Sequence, residues 1–88
     1  MNIEFRKSFE RDLRDIDDIT LLQKIQTAIE AIEIAVSPSE IPNLKKMKGK
    51  GSYYRIRIGE YRMGLMLIKD TFIVVRVLPR KEIYRYFP

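Results

Sequence analysis

The chain has 88 residues, enough for one domain with a modest core, and 45% of them are hydrophobic. It contains neither cysteine nor histidine, which excludes disulfides, thiolate chemistry, the commonest metal ligand and the commonest general acid–base group. The net charge of +5 is segregated: residues 1–44 carry 5 basic and 9 acidic side chains, residues 45–88 carry 12 basic and 3 acidic. That asymmetry describes an anion-binding half resting on a neutral-to-acidic scaffold. No apolar run approaches the roughly 18 residues of a spanning helix and nothing resembles a signal peptide, so cytoplasm is the expected location.

Asn2-Ile3-Glu4-Phe5-Arg6 alternates and predicts a short first strand with Ile3 and Phe5 inward. Ser8 fits an N-cap. Phe9, Leu13 and Ile16 then recur at helical spacing, which leaves Arg11, Asp12, Arg14 and Asp15 on a solvated outer face. Asp17-Asp18 breaks this helix and can cap the next, and Thr20 with Gln23 also fits a capping box. Leu22, Ile25, Ile29, Ile32 and Val36 predict a second helix over roughly 19–36 whose apolar stripe packs on a sheet. The short join makes the pair a helical hairpin.

Ser37-Pro38-Ser39 and Ile41-Pro42 end the helix in a loop. Lys45-Lys46-Met47-Lys48-Gly49-Lys50-Gly51 reads as a mobile solvated loop whose charge can add to a patch on the strand it leads into. Three strands follow. The first, about 53–58, directs Tyr54, Ile56 and Ile58 one way and Tyr53, Arg55 and Arg57 the other. Gly59-Glu60 allows a tight reversal. The second runs from Tyr61 to Ile68, with Arg62, Gly64, Met66 and Ile68 on one face. Lys69-Asp70 is the next turn. Thr71 to Leu78 is nearly all apolar and reads as a central strand buried on both faces, with Arg76 its single charge. Pro79 ends it, and the tail from Arg80 to Phe87 has room for one helical turn.

The order of elements implies a single α+β domain over residues 1–88. A helical hairpin packs on one face of a small antiparallel sheet and leaves the other face partly open. If Tyr54, Ile56 and Ile58 meet the helices, Arg55 and Arg57 must stand on the open face; a one-residue slip would bury both guanidinium groups. The candidates for chemistry are Arg55, Arg57, Arg62, Arg80 and Tyr84. Lys48, Lys50, Tyr53 and Lys81 are candidates for holding RNA. Guanidinium forks grip phosphate and stay charged, and tyrosine can stack on an unpaired base.

Tyr53-Tyr54-Arg55-Ile56-Arg57-Ile58-Gly59-Glu60-Tyr61-Arg62 and the terminal Arg80-Lys81-Glu82-Ile83-Tyr84 resemble the RelE/ParE superfamily of toxins from type II toxin–antitoxin modules, the RelE branch more closely. The resemblance covers essentially the whole chain. It implies a ribosome-dependent, metal-independent mRNA endoribonuclease that needs no cofactor. It also implies a cognate antitoxin as partner, with DNA reached only through that antitoxin and no role for a membrane. In such toxins two basic side chains lie at the positions of Arg55 and Arg57, an arginine opens the next strand as Arg62 does, and a terminal arginine and tyrosine match Arg80 and Tyr84. The implied reaction is attack of a ribose 2′-hydroxyl on the adjacent phosphodiester. Arg62 and Arg80 would meet the phosphate, Arg55 and Arg57 would hold the backbone, and Tyr84 would orient the scissile nucleotide. Many close relatives carry a histidine before the terminal arginine where this chain has Pro79, which leaves the proton donor open. Glu60 reads as a turn residue. Two other readings stay open: a ParE-like toxin that poisons DNA gyrase, and a non-catalytic basic module that docks an acidic peptide.

Overall fold

The structure, a computed structural model, describes residues 1–49 and 51–88. In chain order it contains β1 (Asn2–Phe5), α1 (Lys7–Arg14), α2 (Ile19–Ile34), a 3₁₀ turn at Pro38–Glu40, β2 (Leu44–Lys46), β3 (Tyr53–Ile58), β4 (Tyr61–Ile68), β5 (Thr71–Pro79) and α3 (Arg80–Tyr86). The five strands form one sheet in the order β1-β5-β4-β3-β2. The α+β class and the helical hairpin on one face match the sequence reading. Phe9, Ile16, Leu21, Ile25 and Ile32 of the hairpin region bury against Ile56, Ile58, Met63, Leu65, Phe72, Val74 and Val77 of the sheet.

The sheet is mixed, not wholly antiparallel: β1 runs parallel to β5, with Asn2 opposite Thr71 and Phe5 opposite Val74. No tight turn joins these two strands, so the path through the intervening chain sets their relative direction, a long-range property that strand patterning does not encode. As an edge strand, β1 buries little. Phe5, expected inward, is 44% exposed and stacks on Phe9 with ring centroids 5.5 Å apart.

Past Phe5, α1 takes over the edge of β5. Ser8 Oγ donates to the Val75 carbonyl at 2.6 Å, and Asp12 Oδ2 accepts the Val77 N–H at 3.0 Å. Asp12 also receives Nε and Nη2 of Arg76 at 2.8 and 3.0 Å. Two side chains thus satisfy backbone groups that a continuing strand would have paired. Two expectations are corrected. Ser8 is not the N-cap, since Arg6 occupies that position without a side-chain bond, and Asp12 does not lie on a solvated face. The hydrogen bonds that Arg76 donates to Asp12 raise its pKa above its ordinary value, against a smaller opposing effect of burial. The Arg76 guanidinium also lies 5.9 Å from the centroid of the Tyr86 ring.

Asp18 caps α2 by accepting the Leu21 N–H at 3.2 Å; Thr20 lies inside the helix, so the alternative capping box does not form. Leu21, Ile25 and Ile32 are its buried residues, and Leu22 and Ile29 are half-buried. Val36 is 84% exposed because the helix stops at Ile34 and the spacing no longer applies beyond it. Lys45 and Lys46, read as loop, belong to β2, which pairs antiparallel with β3. Exposed lysines on a three-residue edge strand blunt it against further pairing and also hide its strand signal.

As read, β5 is an inner strand, flanked by β1 and β4, with Phe72, Ile73 and Val74 buried on alternating faces; β4 is the middle of the five, and Arg62, Met63, Gly64 and Leu65 are all buried in it. The register shifts between Gly64 and Leu65, leaving Val75 as the extra residue of β5. Instead of one turn, the tail forms the seven-residue helix α3, with Ile83 and Phe87 buried. Phe87 lies over Gly64, where a Cβ would come within 2.6 Å of its ring, and meets Tyr53 edge-on at 5.6 Å. The face opposite the hairpin is therefore partly roofed. Among the described residues no helix is long and apolar enough to cross a membrane.

Candidate functional site

The parity of β3 builds one side of the site. Ile56 and Ile58 are buried in the core and Tyr54 packs edge-on against Phe72 at 5.5 Å. Alternation then directs Tyr53, Arg55 and Arg57 to the opposite face. Arg55 is half-buried and Arg57 is exposed. The β2–β3 register sets Lys45 opposite Arg55, so a third cation shares this face. Asn43, Leu44, Lys45, Arg55 and Arg57 line a cleft of about 260 Å³. Lys45 was absent from the sequence-derived candidates because its segment reads as loop; pairing with β3 is what aims it.

The other side is built by α3. Ile83 and Phe87 fix the helix on the sheet, and this leaves Arg80, Lys81 and Tyr84 outward. Tyr84 is 56% exposed, a large phenol held at the surface beside cations. With Glu60 and Pro79 these three line a cleft of about 550 Å³. The Arg80 N–H donates to the Glu60 carbonyl at 2.8 Å, so the β3–β4 turn satisfies the first amide of α3. Gly59 takes φ 58°, a left-handed value that costs glycine nothing and fits the first central position of a two-residue hairpin turn. Glu60 is indeed the exposed partner in that turn.

Arg62 lies opposite Arg57 on β4, yet it is only 8% exposed. Its Nη1 donates to the carbonyls of Gly59 at 2.8 Å and Tyr61 at 2.9 Å, and its Nε has no partner among the described residues. Its guanidinium is therefore turned toward the hairpin turn. Tyr53 is half-buried against Phe87. Lys48 is exposed beyond the end of β2, outside both clefts, and Lys50 lies outside the described residues. The fold thus gathers Arg55 and Arg57 in one cleft and Arg80, Lys81 and Tyr84 in another. A further cleft of about 460 Å³ lies on the helix side between α2 and β3, lined in part by Thr27, Ala28, Ala31 and Ile58.

The family model described as the ParE toxin of the type II toxin–antitoxin system parDE matches residues 3–84. The chain is 40% identical over 89 residues to Toxin RelE3 of Methanocaldococcus jannaschii, an alignment that covers all of both proteins. It resembles a chain of the RelB–RelE antitoxin–toxin complex from Methanococcus jannaschii with a TM-score of 0.82 and 40% identity, over 97% of this chain and 99% of that one. A chain of the archaeal RelE–RelB complex from Pyrococcus horikoshii shares the fold with a TM-score of 0.72 at 19% identity, over 90% and 93% of the two chains.

Proposed function

The chain belongs to the ParE toxin family of type II toxin–antitoxin systems and is RelE-like, and from that premise we propose that it is a ribosome-dependent mRNA endoribonuclease held inactive by a cognate antitoxin. The observation that carries this reading is the pairing of two cationic clefts. Lys45, Arg55 and Arg57 stand on the sheet face away from the hairpin, and Arg80, Lys81 and Tyr84 stand on the helix that roofs that face. A polyanion laid along the first cleft meets fixed charges, and an unpaired base can stack on the exposed Tyr84 phenol.

The reaction is intramolecular transesterification. The ribose 2′-oxygen forms a bond to the adjacent phosphorus, the bond from phosphorus to the 5′-oxygen breaks, and a cyclic phosphate and a 5′-hydroxyl result. The 2′-hydroxyl gives up a proton and the leaving 5′-oxygen takes one. Negative charge grows on the non-bridging oxygens, and preset guanidinium groups stabilise it; removing one such donor lowers the rate by about 10²–10³. Arg80 meets the phosphate, and Arg55 and Arg57 hold the flanking backbone. A guanidinium is a fixed cation and a poor proton donor to a leaving oxygen, so these residues act by charge and water or ribosomal RNA moves the protons.

The decisive assay is cleavage of ribosome-bound message by the wild type, Arg80→Ala and Tyr84→Phe. Loss in both variants supports the assignment, and wild-type rates in both would end it. The family model's ParE description keeps a gyrase-poisoning toxin as the second reading. Induced expression separates the two: cut messages and rapid loss of translation support the ribonuclease, whereas DNA damage signalling with intact messages supports the other. The strongly basic face also invites an acidic or amphipathic partner segment, the part we assign to the antitoxin, and the cytoplasm is where message and ribosome would be met.

A further inference from the structure

Arg76 is the single charge of β5 and belongs to the one ion pair among the described residues. The bulge sets its place on the strand. Val75 is the extra residue, so Arg76 falls opposite Gly64, the glycine over which the Phe87 ring lies. It therefore stands on the face that α3 roofs, beside the end of that helix. From there its side chain reaches the edge of β5, where Nε and Nη2 meet both oxygens of Asp12 on α1 at 2.8 and 3.0 Å. A two-pronged bond fixes a guanidinium in direction as well as in distance. Asp12 is itself held, because the Val77 N–H donates to it at 3.0 Å.

One flank of α3 faces this fixed cation. The Tyr86 ring centroid lies 5.9 Å from the Arg76 guanidinium carbon, within the range of a cation–π contact. Asp12 does most to raise the Arg76 pKa, and Tyr86 and Glu82 add to the effect. Glu82 and Tyr86 are four residues apart on α3, so they share a flank. Glu82 also lines a cleft of about 200 Å³ with Asp12 and Asp15. There α1 and α3 present carboxylates to each other, and Arg76 is the cation that acts on both helices.

Apolar anchoring alone leaves α3 one freedom. Ile83 and Phe87 are four residues apart and bury along a single line, about which a seven-residue helix can roll. The Arg80 N–H on the Glu60 carbonyl and the end of the β4–β5 ladder hold the point where the helix begins, close to its axis, and so resist roll weakly. At about 100° per residue, Glu82 and Tyr86 lie to one side of the line and Arg80 and Tyr84 to the other. A stop on the first side therefore sets the height of the second.

We propose that Arg76 is a positioning residue: locked to α1 by Asp12, it takes the Tyr86 ring, stops α3 from rolling, and so sets where Arg80 and Tyr84 stand. It acts through α3 and not by contact with RNA. The roll stop stands on the geometry alone, and only the chemical work of Arg80 and Tyr84 rests on the ribonuclease reading above.

The test compares Tyr86→Leu, which removes the ring, with Tyr86→Phe, which keeps it. Tyr86 is 52% exposed, so both variants should fold as the wild type does. In the purified chain, the residual dipolar couplings of the amides of residues 81–85 vary round the helix and report its rotation on the sheet. They should change in Tyr86→Leu and keep their wild-type values in Tyr86→Phe, with the Leu65 and Val74 couplings unchanged in both. Wild-type couplings throughout α3 in Tyr86→Leu overturn the proposal.

Two functional measurements separate the roll stop from a direct contact with RNA. On ribosome-bound message, Tyr86→Leu should lower the saturated cleavage rate by about fivefold and leave the half-saturating concentration within about twofold, whereas Tyr86→Phe should match the wild type in both. An unchanged rate with a raised half-saturating concentration would make Tyr86 a contact to RNA and overturn the proposal. In the Arg76→Met background, Tyr86→Leu should cost no more than about 1.5-fold, since the ring's partner is gone; a full fivefold loss overturns the proposal. If the wild type fails to cut ribosome-bound message, the ribonuclease reading falls and the couplings still judge the roll stop.

Discussion

Replacing Gly64 with alanine asks how firmly α3 is seated on the sheet. A Cβ built on Gly64 lies 2.6 Å from one Phe87 ring carbon and 2.8 Å from two others. Non-bonded carbons settle near about 3.5–4.0 Å, so the ring must retreat by roughly 1 Å or leave. Phe87 is 3% exposed and its ring also meets Tyr53 edge-on, so retreat loses packing on two sides. Overpacking of this kind destabilises by about 1–3 kcal/mol. The ceiling is about 3 kcal/mol, the value of burying a phenylalanine, because the ring can always swing out instead.

Urea unfolding of the purified chain should therefore show Gly64→Ala less stable by about 1–3 kcal/mol, with the melting temperature lower by about 4–8 °C for each kcal/mol. In a Phe87→Ala background the same change should be worth less than about 0.5 kcal/mol, since the obstacle is gone and alanine suits a strand interior better than glycine. Message cleavage should fall with the first variant, because Phe87 anchors the helix that carries Arg80 and Tyr84. A neutral Gly64→Ala, or an equal loss with Phe87 already removed, would refute the view that this contact seats α3.

Asp12→Ala should destabilise the chain by about 2–3 kcal/mol in urea unfolding, since it strips a two-pronged partner from Arg76 and the acceptor from the Val77 N–H. Arg76 has its pKa raised by Asp12, so its share of that stability is fully present below the unfolded guanidinium range and is lost only as pH climbs through the still higher folded value. The gap between wild type and Asp12→Ala should accordingly stay flat from about pH 7 to about pH 10. Asp18→Ala should lower the unfolding free energy by about 1 kcal/mol through loss of the α2 cap, and Asp18→Asn should recover most of it. Lys45→Met should weaken binding of single-stranded RNA and reduce its salt slope by about 0.7; an unchanged slope would exclude Lys45 from the cationic face.

The sequence by itself determined what local periodicity can carry. Alternation through Tyr53–Ile58 set Arg55 and Arg57 against Ile56 and Ile58, because one buried face specifies register. Helical spacing set the hairpin, and Asp17-Asp18 marked its joint. The two motifs ending at Arg62 and Tyr84 carried the family resemblance that the comparisons confirm. Tertiary structure decided whatever depends on partners distant in the chain. Ser8 and Asp12 are ordinary surface residues by pattern, and they become edge acceptors and donors only because β1 stops where β5 continues. Lys45 faces the site because β2 pairs with β3, and Arg62 is buried because β4 is the middle strand and the turn offers it two carbonyls. Periodicity reports which face a residue takes on its own element; only packing decides what covers that face.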